Sequence, residues 1–144
     1  MPLKLKDLIK KNHISVVNEL NDWREAIRRA ADPLLEDKKI TKSYIEKMIW
    51  SVETFGTYMV ILPKIAFVHA DVADGVFKRG MSLLKMNHPI IFGVKNTDLV
   101  QVIIVIASTD KEDFGLLKIV HILENEESMN KLFNAKTVDD ILEI

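Results

Sequence analysis

The sequence contains no cysteine among its 144 residues. Disulfides, thiolate metal sites and a cysteine nucleophile are therefore excluded within this chain. The five glycines are scattered, and they form neither a G-x-x-x-x-G-K-[ST] loop nor a G-x-G-x-x-G turn, so no nucleotide-binding motif is present. No serine lies in a G-x-S-x-G context, which leaves a serine hydrolase of that type without support.

The sequence has no excess of charge of one sign and no long apolar run. The formal net charge is -1, so no general basic field attracts nucleic acid. The longest unbroken apolar run, Val102–Ala107, is too short to cross a bilayer. We therefore expect a cytoplasmic protein that binds no nucleic acid and does not insert into a membrane. With 48% hydrophobic and 28% charged residues, 144 residues suit a single domain over residues 1–144.

Two helices are predicted in the first half of the chain. Asp22 and Glu25 have the spacing of a capping box, and the apolar residues from Trp23 onward recur at helical intervals, which indicates a buried stripe. Thr41 is the predicted cap of the second helix, and Gly56 is its predicted stop. Because only a short polar turn separates the two, we expect them to pack as a hairpin.

The middle of the chain favours β-strands, and its end favours helices. The segment Leu99–Ala107 is almost continuously β-branched, which indicates a central strand that is buried on both faces. The other predicted strands are Ile14–Val17, Tyr58–Leu62, Ile65–Val68, Gly80–Met86 and Ile90–Phe92. Further helices are predicted over residues 3–11, 116–123 and 126–133 and after Thr137. This order predicts a three-layer α/β (α+β) domain in which helices flank a mixed sheet.

The four histidines are the first candidates for chemistry. None belongs to an H-x-x-x-H or H-x-E pair, so we predict no histidine-rich zinc site. His13 is interpreted as a surface residue, His88 as a turn residue and His121 as a half-buried helix residue. Asp71 and Asp74 could hold a metal, but a turn rich in Asp and Gly is the more common arrangement. No metal or cofactor is predicted.

His69 is the fourth histidine, and it directly follows the apolar run Ile65–Val68. A side chain at the end of a strand can reach a cleft while the strand holds its backbone still. A neutral imidazole, with a reference pKa of about 6.5, is a nucleophile through its unprotonated ring nitrogen. Accepting a phosphoryl group and passing it on needs one histidine and no cysteine, metal or cofactor. A hydrogen-bonded histidine at the rim of the core is the competing interpretation.

Several collinear segments, over roughly residues 20 to 125, carry a resemblance to a known family. They read Trp23-x-x-Ala26-Ile27-x-x-Ala30-Ala31-x-Pro33-Leu34-Leu35, Ile40-Thr41-x-x-Tyr44-Ile45-x-x-Met48-Ile49, Gly56-x-Tyr58-x-Val60-Ile61-x-Pro63-x-Ile65-Ala66-x-x-His69-Ala70, Gly75-Val76, Gly80-x-Ser82-Leu83-Leu84 and Pro89-x-x-Phe92-Gly93. Together they resemble the enzyme IIA domain of the bacterial sugar phosphotransferase system, in the mannitol/fructose class (type 2). Its ascorbate-type members are the most similar.

The resemblance implies a fold, a reaction and a set of partners. The fold would be the phosphotransferase/anion transport-like one, and the protein would be a cytoplasmic phosphocarrier. His69 would accept a phosphoryl group from the phosphohistidine carrier HPr as a tele-phosphohistidine. It would pass the group to a cysteine of enzyme IIB, which serves with the membrane component IIC, on other chains, in ascorbate-like carbohydrate uptake. No cofactor is implied.

Four positions depart from the family pattern. Lys64 stands where the family has Gly, Val68 where it has Pro, Asp71 where it often has Arg, and Phe114 where many members have a second histidine. A carboxylate repels the added phosphoryl charge, and Phe cannot hydrogen-bond a phosphoryl oxygen. Lys64 replaces some of the missing positive charge if its side chain turns inward; the alternative is a solvated surface lysine. These departures motivate an alternative, a regulatory or degenerate relative that binds partners and signals; an unrelated small-molecule binding domain is a third hypothesis.

Overall fold

The computed structural model describes residues 3–94, 97–109 and 115–144. Within these ranges, four strands form one mixed sheet in the order β1-β3-β4-β2, namely β1 (Ile14–Val17), β2 (Ile65–Val68), β3 (Gly80–Phe92) and β4 (Asp98–Ala107). The helices of this part of the chain are α1 (Trp23–Glu36), α2 (Lys42–Phe55), α3 (Gly115–Leu123), α4 (Glu126–Asn134) and α5 (Val138–Leu142). In the described ranges, no helix is long and apolar enough to span a membrane.

The sheet lies between two helical layers, as the order of the elements predicts. Side chains alternate between the faces of a strand, so Ala66 and Val68 join the apolar cluster under α1 and α2. Ile65 and Phe67 join a second cluster under α3, α4 and α5. The strands β2 and β4 are therefore buried on both sides, which confirms the central position predicted for β4.

The ends of β2 and β4 meet at one edge of the sheet. These strands are parallel and in register from Ile65 opposite Val102 to Val68 opposite Val105. β3 runs antiparallel to β4, while β1 runs parallel to β3 at the outer edge. The residues that follow β2 and β4 therefore come out on the same side of the domain.

The predicted helix hairpin is confirmed. The Thr41 hydroxyl accepts a hydrogen bond from the Tyr44 amide at 3.2 Å, and α2 is followed by Gly56 at φ 85°. Arg24 of α1 donates to Glu53 of α2 at 2.9 Å, which ties the two helices together at their surface. One detail of the prediction is wrong, because Asp22 precedes α1 without a side-chain cap hydrogen bond.

The strand predicted over Tyr58–Leu62 is wrong. The Val60 amide instead donates to the Thr57 carbonyl at 3.0 Å, which closes a turn, and only an isolated bridge joins Leu62 to Ile65. Pro63 has no amide hydrogen for a ladder, and Lys64 has φ 66°, so the chain reverses here. This segment thus lies along β2, where the Met59 carbonyl accepts a hydrogen bond from the Phe67 amide at 2.9 Å, without forming a strand.

Two other elements differ from the prediction. The segments predicted as separate strands around Pro89 belong to one strand, β3, with an irregularity between Lys85 and Ile90. Proline is tolerated in a sheet at such a bulge. The helix predicted over residues 3–11 is replaced by two single turns of 3₁₀ helix, Leu5–Asp7 and Lys11–His13.

The surface position predicted for His13 is also wrong. Its side chain is 2% exposed, and Nε2 donates to Asp37 Oδ2 at 2.5 Å. This contact joins the turn before β1 to the residue that ends α1. The hydrogen bond from His13 is the main reason why the pKa of Asp37 lies below its ordinary value.

Asp37→Asn is expected to lower the melting temperature at pH 7. The folded state favours the carboxylate, so its stabilisation is complete above the ordinary Asp pKa of about 3.9 and is lost as the pH falls through the lower folded-state pKa. Thermal unfolding of wild type and variant should therefore show a gap that closes in acid. Asp32→Asn, at an exposed position of α1, is the control; an equal loss in both variants would contradict the assignment.

Candidate active site

His69 is the first residue after β2, and it lies half-buried at the sheet edge where β2 and β4 end. It opens onto a cleft of about 400 Å³ between this edge and α2. The other residues that line the cleft are Lys47, Trp50, Ser51, Phe55, Tyr58, Ala70, Asp71 and Asp74. The strand β2 is fully buried, so it fixes the backbone that leads into His69. The half-buried His69 side chain lines the cleft.

A backbone contact orients the His69 ring. Nδ1 lies 3.2 Å from the carbonyl oxygen of Phe67. A carbonyl oxygen can only accept, so Nδ1 carries the hydrogen and Nε2 carries the lone pair. The nucleophilic nitrogen of the neutral ring is thereby Nε2.

The Tyr44 hydroxyl holds the backbone next to His69. Tyr44 is fully buried, and its hydroxyl donates to the Ile106 carbonyl at 2.7 Å and accepts from the Ala70 amide at 3.0 Å. Burial raises the pKa of Tyr44 to about 12, so the group stays a neutral donor at physiological pH. One side chain of α2 therefore joins the ends of β2 and β4 at the site.

Three exposed aromatic side chains form one wall of the cleft. Trp50, Phe55 and Tyr58 are 48%, 63% and 55% exposed. Their rings follow one another edge to face, with centroids 5.7 Å apart for Trp50 and Phe55 and 6.4 Å apart for Phe55 and Tyr58. We call these three residues the aromatic wall. Exposed apolar patches of this kind mark interaction sites.

Asp71 and Asp74 bring negative charge to the cleft. The Asp71 amide donates to Asp74 Oδ2 at 3.1 Å, and a 3₁₀ turn covers Val72–Asp74, so the turn interpretation of this pair is confirmed. Among the described residues, no group of three or more His, Cys, Asp or Glu side chains is placed to hold a metal ion.

Lys64 lies at the other end of β2 from His69. Its ammonium is 6.0 Å from the ring centroid of Phe133 in α4. Four strand residues at about 3.3 Å each separate the two positions. Lys64 therefore supplies no charge to the cleft and is the exposed surface lysine of the two alternatives.

Val68 and Phe114 are the remaining departures from the family pattern. Val68 is fully buried in the core, as is the neighbouring Phe67. Phe114 lies outside the described residues.

The other histidines lie away from this cleft. His88 is exposed within β3, where a turn was predicted. The His121 side chain is 84% exposed, not half-buried, and its Nδ1 lies 3.3 Å from Glu124 Oε1. Among the four, His69 is the histidine that the structure places in the cleft beside the aromatic wall.

Sequence reasoning missed Lys47, Trp50 and Phe55. They lie on α2 outside its buried stripe, and aromatic side chains on the solvent face of an amphipathic helix are the signal that could have found two of them. Tyr44 was identified only as part of a motif, because its hydrogen bonds join residues 26 and 62 positions away.

Comparison with known proteins identifies the family. Residues 7–144 match the family model described as "Phosphoenolpyruvate-dependent sugar phosphotransferase system, EIIA 2". The ascorbate-specific PTS system EIIA component of Salmonella paratyphi A is 31% identical over 146 residues, which cover 99% of this chain and 95% of that protein.

Solved structures show the same fold. The mannitol-specific cryptic phosphotransferase enzyme IIA CmtB of Escherichia coli superposes with a TM-score of 0.88, 25% identity and coverage of 98% of this chain and 97% of that one. The Escherichia coli enzyme IIA of the mannitol system, solved in complex with phosphorylated enzyme IIB, has a TM-score of 0.78 at 24% identity, with 94% of each chain covered. The family match over nearly the whole chain and these superpositions lead to one conclusion: the chain belongs to the EIIA 2 family of the phosphoenolpyruvate-dependent sugar phosphotransferase system.

Proposed function

We propose that the protein is a cytoplasmic phosphocarrier, folded as one domain over residues 1–144, whose phosphoryl-accepting group is Nε2 of His69. The observation that carries the proposal is the hydrogen bond from Nδ1 to the Phe67 carbonyl, which leaves Nε2 as the nucleophile at the mouth of a cleft. Membership of the EIIA 2 family supports the reaction, and the ascorbate-specific relative supports an ascorbate-like carbohydrate.

The reaction has two displacement steps. The Nε2 lone pair attacks the phosphorus of phospho-HPr, a P–N bond forms to His69, and the P–N bond to the HPr histidine breaks. The ring of His69 then carries a positive charge, because both nitrogens are substituted, and the Phe67 carbonyl stabilises it through Nδ1–H. A thiolate of enzyme IIB next attacks phosphorus, and the P–Nε2 electron pair returns to the ring.

The site provides a surface for transient partners. HPr and enzyme IIB must each reach the same nitrogen, so the histidine cannot be enclosed. The half-buried ring of His69 and the exposed aromatic wall meet this requirement. Aromatic residues are common at the centres of protein interfaces.

The relay is tested with purified components. Phosphoenolpyruvate, enzyme I and HPr should give the protein an acid-labile phosphoryl group. Addition of an ascorbate-type enzyme IIB should then remove this group and place it on the cysteine of that protein. A wild-type protein that stays unlabelled would contradict the proposal.

The regulatory alternative rests on Asp71 and Asp74. Their carboxylates line the cleft and oppose an added phosphoryl charge, and Lys64 does not offset them because it lies at the other end of β2. A regulatory or degenerate relative would bind its partners whether or not His69 carries a phosphoryl group. Equal partner binding by wild type, His69→Ala and His69→Asp would favour this function.

A further inference from the structure

Lys47 brings positive charge to the cleft of the proposed phosphoryl site. Among the described residues that line the cleft, it is the one Lys or Arg, and the carboxylates of Asp71 and Asp74 line the same cleft. A phosphoryl group adds about -1.5 to -2 charges at pH 7. The cleft, as described, therefore has one cationic side chain to balance a group that its carboxylates repel.

The fold directs Lys47 into the cleft. It lies three and four residues before Trp50 and Ser51 on α2, so the three side chains share one helix face. The Lys47 ammonium is 4.6 Å from the ring centroid of Trp50, and the Lys47 side chain is exposed. It is thus held beside the site by an aromatic face, and none of the carboxylates among the described residues forms an ion pair with it.

We propose that Lys47 moves from the Trp50 ring to contact the phosphoryl oxygens once His69 is phosphorylated; this inference rests on the proposed function. A charge-assisted hydrogen bond to a phosphoryl oxygen is stronger than an exposed cation–π contact. The four-carbon stem of lysine allows this change of position without movement of the helix. Lys47 would thereby offset Asp71 and Asp74, in place of the arginine that the family often has after its His-Ala pair.

The test loads the protein without any partner. Phosphoramidate donates its phosphoryl group directly: the lone pair of Nε2 forms a bond to phosphorus, the P–N bond of the reagent breaks, and ammonia leaves. A ³¹P titration then follows protonation of the phosphoryl group from dianion to monoanion. A nearby cation favours the dianion, so the titration midpoint of Lys47→Gln should lie about half a pH unit above that of wild type.

Matched variants separate charge from structure. Lys42→Gln removes the same charge from an exposed position of α2 that does not line the cleft, and it should titrate like wild type. Lys47→Arg keeps the charge and should restore most of the shift. The Trp50 indole N–H signal should move further on phosphorylation of wild type than on phosphorylation of Lys47→Gln, because only wild type also loses the lysine from the Trp50 ring.

The outcomes separate the role of Lys47 from the phosphocarrier function. Equal midpoints for wild type and Lys47→Gln would overturn the role of Lys47 and leave the phosphocarrier function intact. A shifted midpoint in a protein that phospho-HPr does not label would support the Lys47 contact and overturn the relay. A protein that neither phosphoramidate nor phospho-HPr labels on His69 would overturn both.

Discussion

Replacing His69 with glutamine is expected to abolish phosphoryl acceptance from phospho-HPr, with a loss on the order of 10³-fold or more, as for other removed nucleophiles. Glutamine is similar in size, but its amide nitrogen has no available lone pair. The measurement is transfer of ³²P from phosphoenolpyruvate through enzyme I and HPr, followed by acid treatment. The label on wild type should be acid-labile, and the variant should carry none.

Two other histidines provide matched controls for this experiment. His88 and His121 are both exposed and lie away from the cleft. His88→Gln and His121→Gln should accept the phosphoryl group at the wild-type rate, because neither residue lies in the cleft beside the aromatic wall. A glutamine variant of His69 that still accepts the label would place the phosphoryl group elsewhere.

Tyr44→Phe is expected to destabilise the protein by about 2–3 kcal/mol and to slow labelling of His69. The change removes one hydroxyl and leaves the buried Ile106 carbonyl and the half-buried Ala70 amide without that partner. An unsatisfied buried group costs about 1–3 kcal/mol. Urea denaturation measures the stability, and the labelling rate at a temperature where the variant is folded measures the effect on the site.

Tyr58→Phe is the control for the Tyr44 experiment. It removes the same atom from a ring that is 55% exposed in the same cleft. Exposed substitutions of this kind usually change stability by less than about 0.5 kcal/mol. Equal losses of unfolding free energy in the two variants would show that the Tyr44 hydroxyl has no special role at the junction of β2 and β4.

Local sequence patterns were sufficient for the layers of the fold and insufficient for its turns. The β-branched run of β4 could only be stable when buried on both sides, so its central position was predictable. Tyr58–Leu62 has the same kind of residues but precedes Pro63 and the positive φ of Lys64. Composition alone does not separate a strand from apolar turns that cover a sheet edge.

The sequence patterns identified one residue of the candidate site, His69. His69 was identified by its place after a buried strand, and the structure puts it at the mouth of a cleft. The burial of His13 depends on Asp37, 24 residues away, and the placement of Lys47 depends on how α2 crosses the sheet edge. Such tertiary contacts leave no periodic signal in the sequence.

The position of the phosphoryl group on the His69 ring decides whether Nε2 is the phosphoryl acceptor. Long-range ¹H–¹⁵N spectra of the phosphorylated protein distinguish the two ring nitrogens of each histidine by their couplings to carbon-bound hydrogens and to phosphorus. The hydrogen bond from Nδ1 to the Phe67 carbonyl predicts phosphorus on Nε2 and hydrogen on Nδ1 of His69. Phosphorus on Nδ1, or on any other histidine, would exclude Nε2 of His69 as the acceptor.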